Sequence, residues 1–148
     1  MDEEGRTFYC VLLGSEYTKD EDGTRHYWSF SESKRLLEWA FDNFHRTVLL
    51  DQDTEDVLRE VRVSLSEEAD YVLAKPEGEI AATMPSDYDP RLAELRFDLP
   101  TELEAPITAG QKLGTVTFIY QDTIYGTLDM VAMDSVERSD FLYTIQQI

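Results

Sequence analysis

One cysteine, two histidines and 13 basic residues are all that this 148-residue chain offers to the commonest reactive and anion-binding chemistries. The lone Cys10 excludes an internal disulfide and a zinc site built from cysteines. Against 31 acids the 13 Lys and Arg leave a formal net charge of −18. Such a chain has little with which to neutralise a run of phosphates, so nucleic acid is not expected as a partner. Adsorption to anionic lipid by charge alone is disfavoured for the same reason. The longest apolar stretch, Phe8 to Leu13, is too short to cross a bilayer. Asp2, Glu3 and Glu4 stand where a secretory leader carries basic residues, and no signal peptide is read there. What is present is 42% hydrophobic and 11% aromatic residues, enough to build a folded core.

The charge is unevenly spread. Residues 1–50 carry 10 acids and 6 bases, whereas residues 51–148 carry 21 and 7, which gives −4 and −14. Patterning changes at the same place, so two units are expected, 1–50 and 51–135, followed by a tail over 136–148. In the first, an apolar run rich in Phe, Tyr and Val predicts a strand over 6–14, centred on Thr7 to Leu13 and stopped by Gly14. A polar loop follows, with Asp22-Gly23 as a turn signal. Ser29 and Glu32 have the spacing of a capping box. Leu36, Leu37, Ala40, Phe41 and Phe44 then recur at helical spacing, predicting a helix over 30–44. A lone strand and helix cannot cover both their faces, so this unit reads as part of something larger.

After residue 50 the period falls from 3.6 to 2. Val57 to Leu65, Tyr71 to Ala74, Ala93 to Leu99, Thr115 to Tyr120 and Ile124 to Ala132 read as strands. All five prolines lie between these runs, where a missing N–H does no harm. Short alternating strands at regular spacing predict a small antiparallel β-sandwich, and the whole chain is expected to be α+β. Phe141, Leu142, Ile145 and Ile148 begin an amphipathic helical pattern that the last residue cuts off.

No constellation in the sequence makes a convincing reactive centre. Ser31-Glu32-Ser33-Lys34 is an S-x-x-K string, whose chemistry needs an amine one helical turn from a hydroxyl. Its companion motifs S-x-N and K-T-G are absent, the nearest approach being Ser86-Asp87-Tyr88, and both residues are ordinary in a first helical turn. The acids Asp51, Asp53, Glu55 and Asp56 lack the Gly and Glu of a calcium loop, for Asp56 and Arg62 fill those places. They and Asp20, Glu21 and Asp22 read as solvated loop acids. His26 and His45 have no partner at metal-ligand spacing, and His45 fits the end of the helix, where a cation meets the dipole. Cys10 reads as a small hydrophobe, and Trp28, Trp39 and the eight tyrosines as core rather than as a sugar-stacking face. No catalytic, cofactor-binding or metal residue is therefore named, and no cofactor is expected.

Two stretches together resemble one family. Gly5-Arg6-Thr7-Phe8-Tyr9-Cys10-Val11-Leu12-Leu13-Gly14, with Ser33-Lys34-Arg35-Leu36-Leu37-Glu38-Trp39-Ala40-Phe41-Asp42-Asn43-Phe44, is similar to the end of the catalytic domain of serine-type D-Ala-D-Ala carboxypeptidases, the low-molecular-weight penicillin-binding proteins. Ala105-Pro106-Ile107-Thr108-Ala109-Gly110-Gln111-Lys112-Leu113-Gly114-Thr115-Val116, with Gly126, Leu128 and Val131-Ala132, resembles their C-terminal β-domain. In that family the three catalytic motifs precede the segment that begins here at Gly5, so its catalytic residues have no counterpart in this sequence. The resemblance implies a non-catalytic C-terminal module of an exported enzyme of peptidoglycan maturation. It implies a spacer that positions the catalytic domain at the extracytoplasmic face of the membrane, with an anchor after the tail. Expected partners are the parent catalytic domain and cell-wall synthesis proteins, and self-association through residues 1–45 is expected from the uncovered strand and helix. The alternative is a stand-alone cell-wall binding or protein-interaction module.

Overall fold

The computed structural model describes residues 2–139, so the apolar pattern at Phe141 to Ile148 and the anchor expected after it lie outside the described residues. The chain is α+β, mostly strands with one helix. In order these are β1 (Tyr17–Lys19), β2 (Arg25–Tyr27), α1 (Trp28–Asn43), β3 (Phe44–Leu50), β4 (Arg59–Ser64), β5 (Tyr71–Pro76), β6 (Ile80–Pro85), a 3-10 turn at Pro90–Leu92, β7 (Ala93–Asp98), β8 (Glu102–Glu104), β9 (Lys112–Tyr120) and β10 (Thr123–Ala132). They form two compact units that interleave in sequence: Met1–Thr47 with Thr83–Tyr88, and Val48–Ala82 with Asp89–Ile148. The chain leaves one unit for the other within β3 and returns within β6, and these two strands form a two-stranded sheet. A single boundary at residue 50, as read from charge, does not describe that exchange.

The second unit is built on a six-stranded sheet in the order β7-β9-β10-β5-β4-β8. Every pair in it is antiparallel except β4 with β8, which run parallel. Alternation decides which face is dry. Val61 lies opposite Val72, Ala74 opposite Ala132, Pro76 opposite Met130, and Val116 opposite both Leu128 and Phe97. Side chains in register share a face, so Val61, Val63, Val72, Ala74, Met130, Ala132, Val116 and Phe118 form one continuous buried surface.

That surface curls closed. The Arg59 guanidinium on β4 lies 3.9 Å from the ring centroid of Phe97 on β7. In a flat sheet four strand spacings, about 19 Å, would separate β4 from β7. An arginine cannot bridge such a gap along its own face, so the sheet must fold over and put its two flanks opposite each other. Backbone bulges between Ile124 and Gly126 and between Met130 and Val131 help β10 make the bend.

The first unit departs from the sequence reading in three places. Thr7 to Leu13, expected as a strand over 6–14, belongs to no sheet among the described residues. Apolar alternation makes a chain suitable for pairing, yet a strand exists only where a second strand meets it, and none of the described residues does so. The capping box does not form. Strand β2 runs directly into α1, so Tyr27 is the cap residue, without a side-chain bond, and Ser29 is already inside the helix. The polar loop of 15–27 is itself a hairpin, with Tyr17 opposite Tyr27 and Lys19 opposite Arg25.

Candidate functional site

The end of α1 has the most developed set of side-chain contacts in the first unit. A helix leaves its last carbonyls without intrahelical partners, and here no glycine cap follows, because β3 begins at once. Side chains fill the gap. Asn43 Nδ2 donates to the Trp39 carbonyl (2.8 Å), and the Phe44 N–H donates to that of Ala40. Arg6 Nη1 donates to the carbonyls of Phe41 (2.8 Å) and Phe44 (2.6 Å). His45 Nε2 reaches the Asp42 carbonyl (3.2 Å), and the Asn43 carbonyl accepts from the N–H and hydroxyl of Ser86.

Arg6 is the hub. Its side chain is only 10% exposed; Nε donates to Asp2 Oδ2 (2.8 Å), and the guanidinium lies 5.2 Å from the Phe41 ring centroid. Its Nη1 is also 3.3 Å from His45 Nδ1. The same Nδ1 is 3.9 Å from Glu4 Oε2, so His45 sits at the helix end between a guanidinium, a carboxylate and the Asp42 carbonyl. The sequence did not single out Arg6, although Asp2 four residues before it was a readable signal.

The Asp2 carboxyl is held below its ordinary value, first by the hydrogen bond from Arg6 and then by further bonds from the Arg6 and Glu4 backbone. A carboxyl whose folded value is depressed stabilises the fold above its unfolded value, and loses that contribution as pH falls through the depressed one. A carbon-13 NMR titration should therefore show Asp2 ionising below a free aspartate, and Arg6→Ala should return it to the ordinary range. An Asp2 midpoint unmoved by that substitution would refute the linkage. Asp89, held low first by the Arg91 side chain, and Asp22, held low first by the Thr24 N–H, obey the same sign.

The other residues weighed from sequence do not converge on one site. Ser31 and Lys34 lie on the exposed first turns of α1; the Ser31 hydroxyl donates to the Trp28 carbonyl (3.0 Å), and Lys34 Nζ is 3.8 Å from Glu38. His26 pairs with Asp20 across the β1–β2 turn at 2.5 Å. Asp51 Oδ1 accepts from the Asp53 N–H and the Thr54 hydroxyl, so that carboxylate shapes its own turn. Among the described residues no group of three or more His, Cys, Asp or Glu is placed to hold a metal ion. Trp28 and Trp39, read as core, are about half exposed at 50% and 54%.

Two surface hollows of the second unit are open and largely acidic. One is lined by Glu67, Glu68, Ala69, Asp70 and Tyr71, and a second by Asp51, Gln52, Asp53, Pro76, Gly78 and Glu79. Neither lining contains a nucleophile with a base beside it, the minimum for acyl transfer. The most constrained local structure there is the segment before β9. The Gln111 N–H donates to the Thr108 carbonyl, and Gln111 Oε1 accepts from the Thr108 N–H. The Gly110 N–H donates to Ala132, and Ile107 exchanges backbone bonds with Val136. These bonds hold the turn before β9 against the end of β10.

The family model described as penicillin-binding protein 5, C-terminal domain, matches residues 55–138. Among solved structures, penicillin binding protein 5 from Haemophilus influenzae is similar at 22% identity and a TM-score of 0.55, over 82% of this chain and 38% of that one. The D-alanyl-D-alanine carboxypeptidase DacD from Francisella tularensis is 21% identical over 74% of this chain and 27% of its own, with a TM-score of 0.46. A peptidoglycan synthesis regulatory factor from Streptococcus pneumoniae is 18% identical over 73% of this chain and 31% of its own, with a TM-score of 0.49. The chain thus spans well under half the length of each. Comparison with curated proteins found no match.

Proposed function

The chain belongs to the penicillin-binding protein 5 C-terminal domain family, and from that premise we propose that it serves as the non-catalytic spacer of a D-alanyl-D-alanine carboxypeptidase. The family match over 55–138 is the observation that carries the reading. In this role the module holds a catalytic domain at a set height above the membrane on its extracytoplasmic face, where peptidoglycan stem peptides are trimmed. A charge of −14 over residues 51–148 suits a body that must stand off anionic surfaces. A curled sheet with one continuous buried face supplies the stiffness a spacer needs. Cell-wall synthesis proteins are the natural further partners.

Incubated with a fluorescent penicillin, the purified chain should acquire no covalent label, and labelling at Ser31 would overturn the non-catalytic reading. In a full-length carboxypeptidase carrying this module, its removal should leave D-alanine release from a soluble pentapeptide unchanged and lower release from intact cell wall. Saturable binding of the chain itself to peptidoglycan would favour a binding module instead.

A further inference from the structure

The two units share the chain's charge very unequally. Met1–Thr47 with Thr83–Tyr88 holds 11 acids and 6 bases, a net −5, while Val48–Ala82 with Asp89–Ile148 holds 20 and 7, a net −13. Pairing every base of the second unit with a carboxylate would still leave 13 acids in excess. The described contacts fall short even of that. Arg91, Arg96 and Lys112 meet Asp89, Glu94 and Asp129. The Arg59 guanidinium is engaged elsewhere, donating to the Asp56 and Leu58 carbonyls (2.5 and 2.8 Å) and lying over the Phe97 ring. Glu67, Glu68 and Asp70 share one hollow, and no base stands in its lining.

Among the described residues no charged side chain is buried, so this excess lies at the surface, where salt screens it. Folding is what gathers it. A chain the length of this unit has a radius of gyration of about 12 Å folded and about 30 Å unfolded. At about 0.01 M ionic strength the screening length is about 30 Å, so every charge on the folded body repels every other. At about 0.15 M it is about 8 Å, and only near neighbours interact. Ionic strength between those values decides whether the repulsion acts across the whole unit.

We propose that the second unit is an ionic-strength-responsive fold, stabilised by the screening of its own carboxylates and loosened when salt is withdrawn. The first unit, at −5, responds far less. Self-repulsion opposes the compact state because the unfolded chain spreads the same charges apart. It does so whether or not the module serves as a spacer.

The test uses the full chain at neutral pH, where the carboxylates are ionised. Hydrogen exchange of the Val116 and Phe118 amides, in the middle of β9, should slow by about tenfold or more between about 0.01 and 0.15 M NaCl. Amides of α1 should change by less than about twofold. Magnesium chloride at the same ionic strength, about 0.05 M, should match sodium chloride. Glu67→Lys with Asp70→Lys, both exposed, takes the unit from −13 to −9. Self-repulsion follows the square of the charge, so the tenfold response should shrink to about threefold. Protection in β9 that ignores salt, or an equal gain in α1, would overturn the proposal. So would a magnesium effect larger than that of sodium, which means a bound ion in place of screening, or an undiminished response in the double variant.

Discussion

Replacing Arg6 by alanine is expected to cost the first unit about 3 kcal/mol and to fray the last turn of α1. The reasoning is an inventory of partners. Arg6 donates to both the Phe41 and the Phe44 carbonyl, and its removal takes that partner from the two acceptors together. Bonds from a charged donor are worth about 1.5–3 kcal/mol each, and a part-buried carbonyl left bare adds a desolvation penalty. The helix has no reserve against this loss, since none of its residues is fully buried. Hydrogen exchange should show the amides of β3's first residues and the last turn of α1 losing protection, with those of β9 and β10 unchanged. Arg6→Lys should recover little, because an ammonium is one point charge where a planar fork now serves two carbonyls and a carboxylate. A variant with wild-type protection across residues 36–46 would show that the guanidinium contacts are incidental.

How much of this was legible from the amino-acid order depends on what each element needs. Strands β4, β5, β7, β9 and β10 were readable because each buries one face, and burial writes alternation into the sequence: Ala93, Leu95 and Phe97 turn inward while Glu94, Arg96 and Asp98 turn out. Strands β3 and β6 were not, because they pair only with each other. In β3 only Leu49 and Leu50 are fully buried, so His45 looked like a helix end. Strand β8, three residues of which two are acids, carries no periodic signal at all.

The helix shows the converse error. Its apolar stripe was readable, but its start was set by where β2 ends, which no local motif records. Thr7 to Leu13 has the composition of a strand, and only tertiary pairing could have made it one. The absence of a reactive centre rested on missing companion motifs, and what the described residues do show is where the candidates went: Ser31 to a helix carbonyl and Lys34 to Glu38. Arg6 was missed because capping by a residue 35 and 38 positions away leaves no trace in local spacing.

The same distinction between local and tertiary constraint separates three glycines of the second unit. A methyl group at Gly114 would stand 2.0 Å from the Asp98 carbonyl oxygen and 2.8 Å from Leu99 Cδ2. Its φ is not positive, so the restriction is one of space: Gly114 lies beside the end of the neighbouring strand β7 too closely for any side chain. A backbone oxygen has no rotamer with which to retreat, and Gly114→Ala must push the β7–β9 pair apart. About 3 kcal/mol is the expected loss, toward the upper end of what overpacking costs. That corresponds to a fall on the order of 10 °C in melting temperature. At Gly126 the nearest atom is Ile80 Cδ1 at 3.1 Å, the tip of a flexible side chain, so the same substitution should be far milder. Gly110 reverses the terms, with open space around it but φ at +85°, and alanine there should cost about 1 kcal/mol of backbone strain. Thermal denaturation of the three variants should therefore rank Gly114→Ala as the most damaging. If Gly114→Ala instead melted with the wild type, the close approach of the Asp98 carbonyl to Gly114 would be wrong.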